Sequence, residues 1–96
     1  MLGIRKMNTK LALMSIYEAC DIPLDKVAQE YFGMAPKRAN TLARAQKLPV
    51  PVYRTGGQKS PWLVSVDDLA NHIEKSRTQA QEHWSRMHHN QTNQSH

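Results

Sequence analysis

Apolar residues recur at helical spacing through the first half of the chain, switch to alternation after Leu48, and return to helical spacing after Val66. Leu11, Met14, Ile16 and Tyr17 make the first stripe. Asn8 or Thr9 suits its N-cap, so the spacing predicts a helix from there to about Cys20. Asp21-Ile22-Pro23 breaks it, because the residue before a proline is driven from helical angles. A second helix, from about Pro23 to Tyr31, puts Leu24, Val27, Ala28, Tyr31 and Phe32 on one face, with Gly33 placed for a left-handed cap. A third is predicted from Pro36 to about Lys47. Proline is tolerated in its first turn, and Ala39, Leu42, Ala43 and Gln46 form its apolar stripe.

In the alternating region, residues 49–54 and 61–66 read as two strands and 55–60 as the turn between them, with the prolines suited to an edge. The last helix opens at Ser65 or Asp67, and Asp67 and Asp68 complement its dipole. Leu69, Ala70 and Ile73 close the core, and Ala80, Trp84 and Met87 continue the stripe beyond it. The expected organisation is a leader over 1–7, a domain over 8–76, a helix extension over 77–87 and a disordered polar tail over 88–96. The expected fold class is α+β, a small winged helix-turn-helix with three helices, a two-stranded wing and an extended C-terminal helix.

Charge sharpens this picture. The chain holds 13 basic and 8 acidic residues. Between Tyr31 and Val66 stand Lys37, Arg38, Arg44, Lys47, Arg54 and Lys59 with no carboxylate among them, so the whole excess of cations sits in that window. Such a block fits a phosphate backbone, which supplies sequence-independent affinity by counterion release. Lys37, Arg38, Asn40, Thr41 and Arg44 are the candidates for a groove-facing helix, since Arg and Lys suit guanine edges and Asn suits adenine. Lys47 suits phosphate. Arg54, Gln58, Lys59 and Ser60 are the candidates for the wing, whose tip reaches the backbone or the adjacent minor groove.

Other chemistries find little support. There is no nucleophile elbow and no phosphate-cradling glycine loop, and Cys20 has no local activating pattern, so neither catalysis nor a cofactor is expected. His83, His88 and His89 lack a cysteine partner or a fixed scaffold for a metal. No apolar run approaches the roughly 20 residues of a membrane span. One cysteine and no visible signal peptide fit a cytoplasmic protein. Trp62 suits hairpin packing better than base stacking, Tyr53 suits packing or a phosphate equally, and Ala80, Trp84 and Met87 suit contact with another protomer.

Met7-Asn8-Thr9, Ile22-Pro23-Leu24, Tyr31-Phe32, Pro49-Val50-Pro51, Arg54, Gln58-Lys59-Ser60-Pro61-Trp62 and Asp68-Leu69-Ala70 are similar, in order and spacing, to the pyocin activator (PrtN) family of phage- and tailocin-associated regulators. The resemblance covers about residues 7 to 75 and is most specific at 58–62. It implies a bacterial or prophage protein that binds double-stranded DNA and activates transcription, with RNA polymerase as a further partner. In architecture alone the chain also resembles excisionase-type recombination directionality factors, which multimerise on DNA, bend it and work with an integrase. A protein-binding antirepressor module is a third reading. A single short reading helix covers few base pairs, so self-association on DNA is expected.

Overall fold

The computed structural model describes residues 2–95, with side chains from residue 9 to residue 89. The elements run α1 (Leu2–Tyr17), β1 (Asp21–Pro23), α2 (Leu24–Phe32), α3 (Pro36–Arg44), β2 (Leu63–Ser65) and α4 (Val66–Ser95). Among the described residues four helices accompany one two-stranded antiparallel sheet, an α+β arrangement.

α1 begins earlier than its apolar stripe suggests. Its backbone is already helical at Asn8 and Thr9, so neither residue caps it, and the stretch expected as a leader is helical from Leu2 on. Met1 and the side chains of residues 2–8 lie outside the described residues. The Thr9 hydroxyl donates instead to the Glu74 carboxylate, and Lys10 Nζ pairs with Asp67 at 2.7 Å, which lays α1 antiparallel along α4. Among the described residues α1 buries Leu13, and Met14 and Tyr17 pack against the core partly buried. Leu11 and Ile16, expected on the apolar stripe, are 54% and 66% exposed. Residues 11–17 are apolar at nearly every position, so periodicity cannot fix which side faces inward; packing against α4 does. The helix stops three residues short of Cys20, with Glu18 in the left-handed region at φ 54.

β2 is present where a returning strand was expected, but its partner is β1. The register pairs Asp21 with Ser65, Ile22 with Val64 and Pro23 with Leu63. Leu24 N–H to the Trp62 carbonyl (2.8 Å) and Val66 N–H to the Cys20 carbonyl (2.8 Å) extend the tie on either side. Residues 49–54 contribute only the Tyr53–Leu63 bridge, with N–H···O distances of 3.1 and 2.7 Å. Pro49 and Pro51 have no N–H to give a ladder. Val50 and Val52 are buried there as core side chains. The expected hairpin is thus a loop closed by a single bridge.

α2 and α3 follow their local signals closely. Gly33 takes φ 65, and its N–H and that of Met34 both reach the Ala28 carbonyl, which ends α2. Pro36 opens α3 in its first turn. Val27, Ala28, Ala39 and Ala43 are fully buried, and alanine on α3 lets the helices approach closely. α3 ends at Arg44, three residues before the expected stop. Gln46, expected on the apolar stripe, is exposed at φ 56, where its N–H reaches Ala43 O (3.1 Å) and that of Lys47 reaches Leu42 O (2.9 Å).

Ser65 starts α4 with a reciprocal cap: Asp68 N–H donates to Ser65 Oγ (3.0 Å), and Ser65 Oγ–H donates to Asp68 Oδ2 (2.9 Å). Leu69 is fully buried and Ala70 nearly so, joining Ile22, Leu24, Val64 and Val66 in the core. Every side chain from residue 75 to residue 89 is exposed. Thirty residues of helix span about 45 Å, and the molecule accordingly measures 62 × 30 × 16 Å. α4 also continues through residues 88–95, where a disordered tail was expected; that stretch contains no proline or glycine to end a helix. Side chains beyond His89, and His96 itself, lie outside the described residues.

Candidate nucleic-acid interface

α3 and the loop at 54–60 meet across one open, mainly polar groove. It is lined by Asn40 and Arg44 from α3, by Arg54, Gln58, Lys59, Ser60, Pro61 and Trp62 from the loop, and by Asp25 from the first turn of α2. Six of the ten residues expected to face nucleic acid therefore share a single cleft. Lys37, Arg38, Thr41 and Lys47 do not line it, but all four are exposed, and Lys37, Asn40 and Arg44 follow helical spacing along α3. Thr41 Oγ1 bonds back to the Lys37 carbonyl at 3.1 Å.

The loop is fixed by its own side chains. Arg54 lays its guanidinium over the Trp62 ring, 4.1 Å from the centroid, and donates to the Gln58 carbonyl at 2.8 Å. Ser60 Oγ donates to the Gly57 carbonyl (2.7 Å) and accepts from Gly56 N–H (3.2 Å). A Cβ on Gly56 would stand 3.0 Å from Ser60 Cβ and 3.1 Å from its Oγ, so a side chain there would push Ser60 from its place by a few tenths of an ångström. Arg54 and Ser60 thus shape the loop, while Gln58 and Lys59 are presented at its exposed tip.

Among the described residues none of the six cations of the 31–66 window is in a salt bridge; the pairs that form, Lys10–Asp67 and Arg77–Glu74, lie elsewhere. Tyr53 is engaged within the protein: a hydrogen bond to the Asp21 carboxylate favours the neutral phenol and raises its pKa above 10.0. Trp62 lies under Arg54, half-buried against the core.

Asp25 is the residue of this groove that the charge pattern did not reveal. Asn40 Nδ2 donates to its Oδ1 at 3.4 Å. Asp25 stands outside the carboxylate-free window, and only the packing of α2 on α3 brings it to the cleft.

At the other end of the molecule Trp84 is 60% and Met87 51% exposed, on the same helix as the exposed Ala80. His88 stacks on Trp84 with ring centroids 3.8 Å apart, and its Nδ1 lies 2.9 Å from the Trp84 carbonyl. Among the described residues no group of three or more His, Cys, Asp or Glu side chains comes together as a metal site, and no helix is long and apolar enough to cross a membrane.

A family model described as pyocin activator protein PrtN matches residues 9–80. No curated protein and no solved structure matches the chain significantly. The family match spans all of the core and both walls of the groove, and it stops before Trp84 and Met87. The chain belongs to the pyocin activator family.

Proposed function

We propose that this member of the pyocin activator family is a phage- or mobile-element transcriptional activator that binds double-stranded DNA site-specifically in the bacterial cytoplasm. α2, the Gly33-Met34-Ala35 turn and α3 act as a helix-turn-helix, α3 enters the major groove, and the loop at 54–60 serves as the wing. The observation that carries this reading is the convergence of α3 and the loop tip on one groove whose cations, among the described residues, form no salt bridge. Arg44 reads a guanine edge and Asn40 an adenine edge, while Lys37, Arg38, Lys47 and Lys59 contact phosphates. Arg54 and Ser60 hold the wing in shape. Once bound, the protein presents its outer surface to RNA polymerase.

One reading helix per chain covers only a few base pairs, so two or more protomers act at each site. The exposed stripe of Ala80, Trp84 and Met87 is the proposed contact between them. The test is a footprint of the full chain on DNA flanking its own gene, together with a variant truncated after Arg77. A protected site beside a promoter, bound cooperatively by the full chain and non-cooperatively by the truncated one, is the expected result. Tandem repeats beside an attachment site would instead identify an excisionase, and absence of any protected site would remove the DNA-binding reading.

A further inference from the structure

We infer that Asp25 is a specificity-determining positioning residue: its carboxylate orients the Asn40 side-chain amide so that α3 selects adenine at one base pair. The inference rests on the reading of α3 as the DNA-facing helix and adds to it a residue outside that helix.

An asparagine that recognises adenine must offer an N–H to N7 and its carbonyl oxygen to the N6 amino group, both from the same amide edge. Turned over, the amide presents donor and acceptor in exchanged places and the match is lost. A free asparagine on a solvated helix samples both orientations. In this protein Asn40 has a neighbour that tolerates only one, since a carboxylate accepts hydrogen bonds and donates none. Nδ2 faces Asp25 Oδ1 at 3.4 Å. Nδ2 carries two hydrogens, so one is held by Asp25, and the other remains for N7 while Oδ1 remains for N6. The bond is long in the free protein. Exclusion of water when DNA closes the groove strengthens it.

Helix-dipole complementation alone explains a carboxylate in the first turn of α2. It does not explain one aimed at Asn40 within a cleft lined by Arg44, Arg54 and Lys59. A carboxylate there opposes phosphate binding, so its contribution is to discrimination and is obtained at the expense of affinity.

The experiment selects binding sites from a randomised double-stranded DNA library with the full chain, then with Asn40→Ala, Asp25→Ala, Asp25→Asn and Asp25→Glu, each checked for native circular dichroism. The native chain is expected to select adenine at one position, and Asn40→Ala to lower that preference on the order of tenfold. Asp25→Ala is expected to lower the preference at that same position roughly threefold, to leave other positions unchanged and to bind random DNA more tightly. Asp25→Glu, which keeps an acceptor, restores part of the preference; Asp25→Asn, which can turn either way, does not. If Asn40→Ala lowers the preference and Asp25→Ala leaves it intact while all sequences bind more tightly, Asp25 acts by charge alone and the inference fails. If Asn40→Ala changes no base preference, the reading of α3 at that residue fails first, and the inference with it.

Discussion

The groove beside α3 and the extension of α4 leave opposite things unsatisfied. In the groove, cations that form no salt bridge sit on backbone held firmly on both sides: Ala39 and Ala43 seat α3 on α2, and Arg54 over Trp62 with Ser60 across the turn fixes the loop. In the extension, Trp84 and Met87 are exposed on a helix whose side chains are solvated from residue 75 to residue 89. Recognition of a fixed pattern of base edges needs rigid placement. Association through an apolar stripe needs only area to bury and tolerates a projecting helix.

The sharpest way to break this contrast is through stability. Leu69→Ala, in the fully buried core, is expected to cost roughly 2–5 kcal/mol, whereas Trp84→Ala is expected to shift monomer stability by less than about 0.5 kcal/mol. Urea unfolding of dilute protein measures both, and comparable losses would mean that the extension packs as part of the body. Next in size, Arg44→Ala should lose about 1–3 kcal/mol at a selected site and relax preference at one base pair. Competition binding against single-base variants decides this, and unaltered discrimination would take Arg44 out of base reading.

A smaller effect separates tip from helix. Lys59→Ala should weaken selected and random DNA alike and lower the slope of log affinity against log salt by about one. Potassium chloride titrations provide the slope, and an unchanged value would place Lys59 away from phosphate.

The smallest effect concerns the body at alkaline pH. Lys10 is raised above 10.5 chiefly by its hydrogen bond to Asp67, Tyr53 above 10.0 chiefly by Asp21, and Tyr17 above 10.0 chiefly by burial. Each of these groups holds its proton more tightly folded than unfolded. Their contribution is therefore complete below pH 10 and fades as pH rises through the folded values. Melting temperatures from pH 8 to 11 should fall, and Lys10→Met should flatten the fall without removing it. A curve that Lys10→Met leaves unaltered would mean the Asp67 pair adds nothing.

What the chain discloses by itself depends on the range of the signal. Gly33, Pro36 and the Ser65–Asp68 cap act within a few residues, and α2, α3 and the start of α4 were legible from them. The pairing of β1 with β2 joins residues forty or more positions apart, and Pro23 is by itself a reason to expect only a break. The cations of the groove could be named from composition because they cluster in sequence. Asp25 could not, since α2 reaches the cleft only through helix packing, and α1's inward side was hidden by a run apolar at nearly every position.

The two tryptophans give this molecule a pair of built-in optical probes. Trp62 lies beneath Arg54 at the edge of the groove, and Trp84 stands on the projecting helix beside His88. The chain has no third. Replacing either by phenylalanine leaves a single tryptophan, excited apart from the tyrosines at the red edge of absorption, one reporting on events in the cleft and the other on events along the extension. The order in which the two surfaces become occupied can then be followed in real time without attaching a dye.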